Sequence, residues 1–239
     1  MLEQQEPADL GQALHMACSL DGTLNERLMT FAMALRRLNQ PFAEAVDRLV
    51  ERLASTNAGA SAPDVGEPMP GFLLPDNRGH LTGLEEVLAG GPVAIVFHRG
   101  HWCPYCHITN AALSEFEVEA RTVGGRVIAI TPDRRPFVGQ FTAAAQAAFP
   151  ILTDIDNGYA LSLGLAIWVG DEMRGFMHAI GRDLGAYQGN DSWFLPIPAS
   201  FVVNRGGIIV ARHVNPDYRQ RMELQDLMAA LRSAAAQSE

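Results

Sequence analysis

The chain holds only 3 cysteines in 239 residues. That is too few for a disulfide framework and excludes the small oxidised scaffolds of secreted proteins. It has no block of lysine and arginine, and its formal net charge is −9, so no nucleic-acid partner is expected. No uninterrupted apolar run approaches the roughly 18–20 residues of a membrane helix, so no membrane partner is expected either. The opening MLEQQEPADL is acidic and lacks the basic and then apolar pattern of an export signal. A cytoplasmic location is the expectation. Internal repeats, a phosphate-cradling glycine loop, paired carboxylates and a Ser-His-Asp pattern are all missing.

What remains is an ordinary globular composition, 48% hydrophobic and 19% charged, with room for a core. Helical periodicity covers residues 8–55. Leu24, Leu28, Phe31, Leu35 and Leu38 mark one stripe, Asn39-Gln40-Pro41 breaks it, and Phe42, Val46, Leu49, Val50 and Leu53 mark the next. Met29 and Met33 read as packing in the same helices. The following STNAGASAPDVGEPMPG is small, proline- and glycine-rich, and reads as a linker. The expected organisation is a helical extension over 1–55, a linker over 56–71 and a single domain over 72–239.

In that domain PVAIVFH (92–98) is a continuous β-rich apolar run, as in a strand buried on both faces. A helix is predicted from Pro104 to about Val123, with Ile108, Leu113, Phe116 and Ala120 inward. RVIAIT (126–131) is the next buried strand, residues 135–149 the next helix, and FPILTD (149–154) a short strand. Residues 157–195 show no period. ASFVVNRGGIIVARH (199–213) predicts a hairpin turning at Asn204-Arg205-Gly206-Gly207, and a helix over about 224–235 closes the chain. This is an α/β layout with a mixed central sheet flanked by helices, in thioredoxin-type order.

Two of the three cysteines, Cys103 and Cys106, fall between that strand and that helix in VFHRGHWCPYCHITN. Pro104 suits the first helical position, which puts Cys103 at the N-cap, where unpaired N–H groups and the helix dipole favour thiolate over thiol. Arg99 and His101 add to this if they turn inward, and Trp102 shields the sulfurs. Side chains three apart on a helix lie roughly 5–6 Å apart at Cβ, near enough to close a disulfide from a flexible N-cap. Zinc is a weaker reading, because structural sites take four ligands and no second CxxC exists. An unreactive packed pair is the third. No metal and no organic cofactor are expected. Cys18 reads as a small core residue, His98 as packed or exposed, and Tyr105 as helix surface.

WCPYC combines the tryptophan of thioredoxins with the Pro-Tyr of glutaredoxins. Its context, GEPMPGFLLPDNRGHLTGLEEVLAGGPVAIVFHRGHWCPYC, resembles the opening of the alkyl hydroperoxide reductase/thiol-specific antioxidant group. LPIPASFVVNRGGIIVARHVNPDYRQRM resembles its close, so the likeness spans about 65–231. It implies a thioredoxin-like fold and a cis peptide before Pro198, packed on the cysteines, where the Ile197 backbone pairs with an extended thiol substrate. The resemblance also implies a peroxide or protein disulfide substrate and thioredoxin, glutaredoxin or glutathione as reductant. The match departs from the peroxiredoxin motif, because Arg99 stands at its proline and Cys103 at its threonine, with Cys106 at the peroxidatic position. Two chemistries therefore stay open: disulfide exchange led by Cys103, and peroxidase chemistry led by Cys106. A redox-sensing module, in which the disulfide switches docking of the extension, is a third. The apolar stripes of the extension must be buried on the domain or in a homodimer.

Overall fold

The extension begins with three helices whose ends are set by short polar side chains. In the computed structural model, which describes residues 6–236, α1 (Leu10–Ser19) starts where the Asp9 side chain accepts from the Gln12 N–H. α2 (Leu24–Leu38) opens on a capping box between Thr23 and Glu26. α3 (Gln40–Ser55) is capped by Asn39. The predicted stripes face inward, with Leu24, Leu28, Phe31 and Leu35 of α2 and Val46, Leu49 and Leu53 of α3 buried. Met29 and Met33 do not pack. They are 56% and 68% exposed, because both lie off the buried stripe of α2.

The stretch expected to link the two regions is held along a sheet edge. Gly66 and Met69 donate to the carbonyls of Ile209 and Gly207, and Ile209 donates back to Glu67. Next come β1 (Leu73–Pro75) and β2 (Leu81–Gly83), an antiparallel pair, then α4 (Leu84–Leu88) and β3 (Val93–Phe97). After β3 follow α5 (Pro104–Thr122), β4 (Arg126–Thr131), α6 (Arg135–Ala145) and β5 (Ile151–Thr153). α6 stops short of the predicted end because Gln146 turns to φ 50°, ending the helix before the buried Phe149.

The segment without a period contains five short elements: α7 (Gly158–Ser162), β6 (Ala166–Trp168), α8 (Asp171–Ala179), α9 (Leu184–Gln188) and β7 (Phe194–Pro196). β6 and β7 pair antiparallel. The predicted hairpin follows as β8 (Ala199–Val203) and β9 (Ile209–Val214), and α10 (Leu224–Ala236) ends the described chain.

The main sheet runs β5-β4-β3-β8-β9, parallel among the first three strands and antiparallel across β3, β8 and β9. It is a mixed α/β sheet of the thioredoxin-like kind. All five residues of β3 are buried, and they alternate between two cores. Val93, Ile95 and Phe97 join α4 and α7 on one face, while Ala94 and Val96 join α5, α6, α10 and the extension on the other. α5 is therefore covered on both sides, by the sheet and by α1 and α2.

A second tie binds the extension to the far end of the chain. The Glu223 carboxylate accepts from the free N–H groups of Leu24 and Asn25 at the start of α2, both at 3.0 Å. The Asn25 side chain clamps the Arg221 backbone, donating to its carbonyl at 2.8 Å and accepting from its N–H at 2.9 Å. Among the described residues no helix is long and apolar enough to cross a membrane.

Candidate active site

The loop leaving β3 is fixed by buried polar contacts. His98 extends the ladder to the Ile130 carbonyl, and Gly100 then takes φ 146°. A Cβ there would lie 2.4 Å from Trp102 Nε1 and 3.0 Å from Asp133 Oδ1, so only glycine fits. Asp133, fully buried, accepts from the His101 N–H and the Thr131 hydroxyl through Oδ2. The chain then enters α5 with Cys103 at the N-cap, in extended backbone, and Pro104 at the first helical position. Both Cys103 and Cys106 are free thiols and both are buried.

Their electrostatics separate them. Burial opposes ionisation of Cys103. The Cys106 thiol, the Arg99 guanidinium, the Cys106 N–H in the first turn of α5 and Arg221 outweigh it and bring Cys103 down to about 5. Burial raises Cys106 well above its ordinary value, and the neighbouring Cys103 adds to the rise. The Arg99 N–H donates to Cys106 Sγ at 3.3 Å. Arg99 itself is 4% exposed and stacks on the Tyr218 ring at 3.6 Å, with Trp102 at 5.2 Å. Arg221, 3% exposed, gives hydrogen bonds to the carbonyls of Tyr218 and Gln220 and faces the sulfurs of Cys106 and Cys103. Two buried cations thus face one thiolate.

A cavity of about 320 Å³ opens onto this group. Cys103, Trp102 and Arg99 form part of its wall, and α1, α2, α3 and α8 supply the rest through residues such as Leu14, Phe31, Phe42 and Met177. Cys106 lies behind Cys103 and does not reach it.

The sequence candidates distribute as follows. Cys103, Cys106, Arg99 and Trp102 meet. His101 stands beside them but turns to Asp133, with Nδ1 3.4 Å from Oδ1, and stacks on Phe137 at 4.6 Å. His98 is buried against Phe141, and among the described residues neither ring nitrogen has a hydrogen-bond partner. Burial, aided by the charges of Arg221 and His107, lowers its pKa to about 3, so it is neutral. Tyr105 is not surface. It is buried between Phe31 and Tyr218, because α2 covers the face of α5 that the sequence leaves open. Cys18 is half-buried within α1.

Pro198 requires a correction. It is buried at the entry to β8, and continuing the β3–β8 register sets it across from His98. The described chain contains no cis peptide, so the bond before Pro198 is trans. The Ile197 N–H is already given to the Leu165 carbonyl at 2.8 Å, because β7 pairs with β6 just before β8 begins. That donor is already engaged and does not serve an extended substrate.

Three participants escaped the sequence reading: Asp133, Tyr218 and Arg221. Nothing in a short polar run such as DYRQR signals that one arginine is buried. Among the described residues no three His, Cys, Asp or Glu side chains come close enough to hold a metal.

The AhpC/TSA family model matches residues 65–212, more than half of the chain. The chain belongs to the AhpC/TSA family. This AhpC/TSA protein is a thiol-dependent oxidoreductase, and its matched region carries both cysteines, Arg99 and Asp133, while Tyr218 and Arg221 lie beyond its end. Solved structures share its fold. Peroxidoxin BcpB from Mycobacterium tuberculosis has 18% identity and a TM-score of 0.55 over 71% of this chain and 96% of its own. A mutant of peroxiredoxin 6 of Arenicola marina has 14% identity and a TM-score of 0.58, covering 74% and 76%. The yeast mitochondrial 1-Cys peroxiredoxin has 14% identity and a TM-score of 0.54, covering 70% and 73%. No curated protein matches by sequence.

Proposed function

We propose that this AhpC/TSA protein reduces small peroxides with Cys103 as the attacking thiolate and Cys106 as the resolving thiol. The observation that carries the reading is access. Of the two sulfurs only Cys103 borders the cavity, and it is the one held as thiolate. Helices of the extension roof that cavity, and the Ile197 N–H is occupied, which favours a small peroxide over a folded protein disulfide.

In the first step the Cys103 thiolate attacks one oxygen of the O–O bond. An S–O bond forms, the O–O bond breaks, and the leaving oxygen departs as alcohol or water once protonated. Cys103 is now a sulfenic acid. The Cys106 sulfur attacks it, releasing water and closing a Cys103–Cys106 disulfide within one chain. Two electrons pass from the dithiol to the peroxide. An external thiol of the thioredoxin, glutaredoxin or glutathione kind then restores the dithiol by exchange. In the yeast mitochondrial 1-Cys peroxiredoxin, thiol resolving runs via glutathione/thioredoxin systems.

Stopped-flow Trp fluorescence with hydrogen peroxide tests the assignment. Wild type should show two phases and yield Cys103–Cys106 disulfide with Cys18 free by peptide mapping. Cys106→Ser should stop at sulfenic acid, and Cys103→Ser should be silent. Peroxide consumption by Cys103→Ser, with sulfenic acid at Cys106, overturns it.

A further inference from the structure

The cavity over Cys103 is asymmetric in a way that bears on what enters it. Its walls are mostly apolar, no Asp or Glu side chain among the described residues lines it, and it contains two arginines, Arg99 and Arg182. Arg99 is committed, stacked on Tyr218 and facing the sulfurs. Arg182 is not. Its backbone is fixed past the end of α8, where its N–H donates to the Met177 carbonyl at 2.8 Å behind Gly181. Its side chain is half-buried and forms no hydrogen bond or ion pair among the described residues, and the charged neighbour it acts on is His107, which it disfavours as a cation. The other polar groups on the wall are Asn39, whose side chain caps α3, and the neutral Tyr105 and Tyr218 hydroxyls, so Arg182 is the one cation of the lining not already facing the sulfurs. A volume of about 320 Å³ is at the small end of the roughly 300–1,000 Å³ typical of small-molecule sites.

We propose that the pocket selects an organic hydroperoxide bearing a carboxylate, with Arg182 as the residue that sets this preference. The inference rests on the reading of Cys103 as peroxide-reducing. The apolar body of the substrate lies between α1, α2 and α8, its carboxylate pairs with the guanidinium of Arg182, and its O–O bond meets Cys103. Arginine suits the task, since its planar fork receives a carboxylate through two parallel hydrogen bonds. The chemical step is the one described above: S–O bond formation, O–O cleavage and release of a hydroxy-carboxylate after protonation. The protein as a whole carries a formal charge of −9 and repels anions. A preference for an anionic substrate must therefore come from a local cation.

The test compares cumene hydroperoxide with its para-carboxylate analogue, which differ only in the charged group, by the rate of Cys103 oxidation in the reduced full-length protein. Wild type should prefer the carboxylate about tenfold, the scale of one charge-assisted pair. Arg182→Gln should bring the ratio to about one, and Arg182→Lys should keep part of it. Because the ratio is internal to each protein, a general loss of activity does not affect it. Should Arg182→Gln fail to fold, competition in wild type replaces it. 4-Isopropylbenzoate should then slow oxidation by hydrogen peroxide at concentrations where neutral cumene has no effect. A wild-type ratio near one, or a ratio of ten that survives Arg182→Gln, overturns the proposal and leaves the peroxidase reading standing. Failure of hydrogen peroxide and both organic hydroperoxides to oxidise Cys103 removes the peroxidase reading itself.

Discussion

The depressed pKa of Cys103 must appear in stability as a function of pH. In the folded dithiol this thiol titrates at about 5, against 9.0 for the unperturbed group. A lowered folded pKa means that the stabilisation is complete above about pH 9, shrinks as pH falls and vanishes below about 5. Each pH unit in that window is worth roughly 1.4 kcal/mol. At pH 7 about half of the window is expressed, on the order of 3 kcal/mol. His98, neutral in the fold with a pKa near 3, contributes in the same direction as acid is added. A control that keeps His98 and removes the thiol is therefore needed. Urea unfolding of the reduced protein and of Cys103→Ser, measured anaerobically from pH 6 to 8, supplies it. The stability difference between them should grow with pH by roughly 1.4 kcal/mol per unit. A difference that stays flat across that range refutes the arginine-stabilised thiolate, and with it the assignment of Cys103 as the attacking sulfur.

Two further outcomes follow from particular contacts. Asn25→Ala removes both clamps on the Arg221 backbone, so it should cost ~1–2 kcal/mol in urea unfolding and slow Cys103 oxidation several-fold; unchanged oxidation with lowered stability would make the clamp purely structural. Gly100→Ala drives a Cβ into the Trp102 indole at a backbone angle few side chains adopt, and should cost at least ~2 kcal/mol, read as a drop in Tm; an unchanged Tm would mean that the loop relaxes freely.

The elements that announced themselves were those whose signal is local. β3 is an unbroken apolar run between turn residues, α5 starts at a proline, and α2 and α3 carry their caps beside them. Within α5, Ile108, Leu113, Phe116 and Ala120 point inward as periodicity requires. Tyr105 misled because the surface that buries it belongs to α2, some seventy positions away in sequence. Arg221 was silent for the same reason at greater range: an arginine's burial is decided by what surrounds it, here thiols, Tyr218 and an α2 clamp. Residues 157–195 resisted because their elements are three to nine residues long, too short to complete a period that can be counted. The Ile197 N–H differed from the family-based expectation because β7, paired to β6, leads straight into β8 and engages that donor with Leu165.

The two buried arginines bear on the redox poise of the protein. Forming the disulfide converts the Cys103 thiolate to a neutral sulfur, and the guanidinium groups of Arg99 and Arg221 then remain in the interior with no anion between them. Stabilising the reduced form relative to the oxidised one raises the reduction potential, the route by which a dithiol becomes a strong oxidant. A stabilisation on the order of 3 kcal/mol at pH 7 corresponds to about 60 mV for a two-electron couple. The disulfide is thus less favoured than in a pair without the two arginines. Its return to dithiol is eased by the same amount, and the reduced protein keeps Cys103 as a thiolate between its two cations.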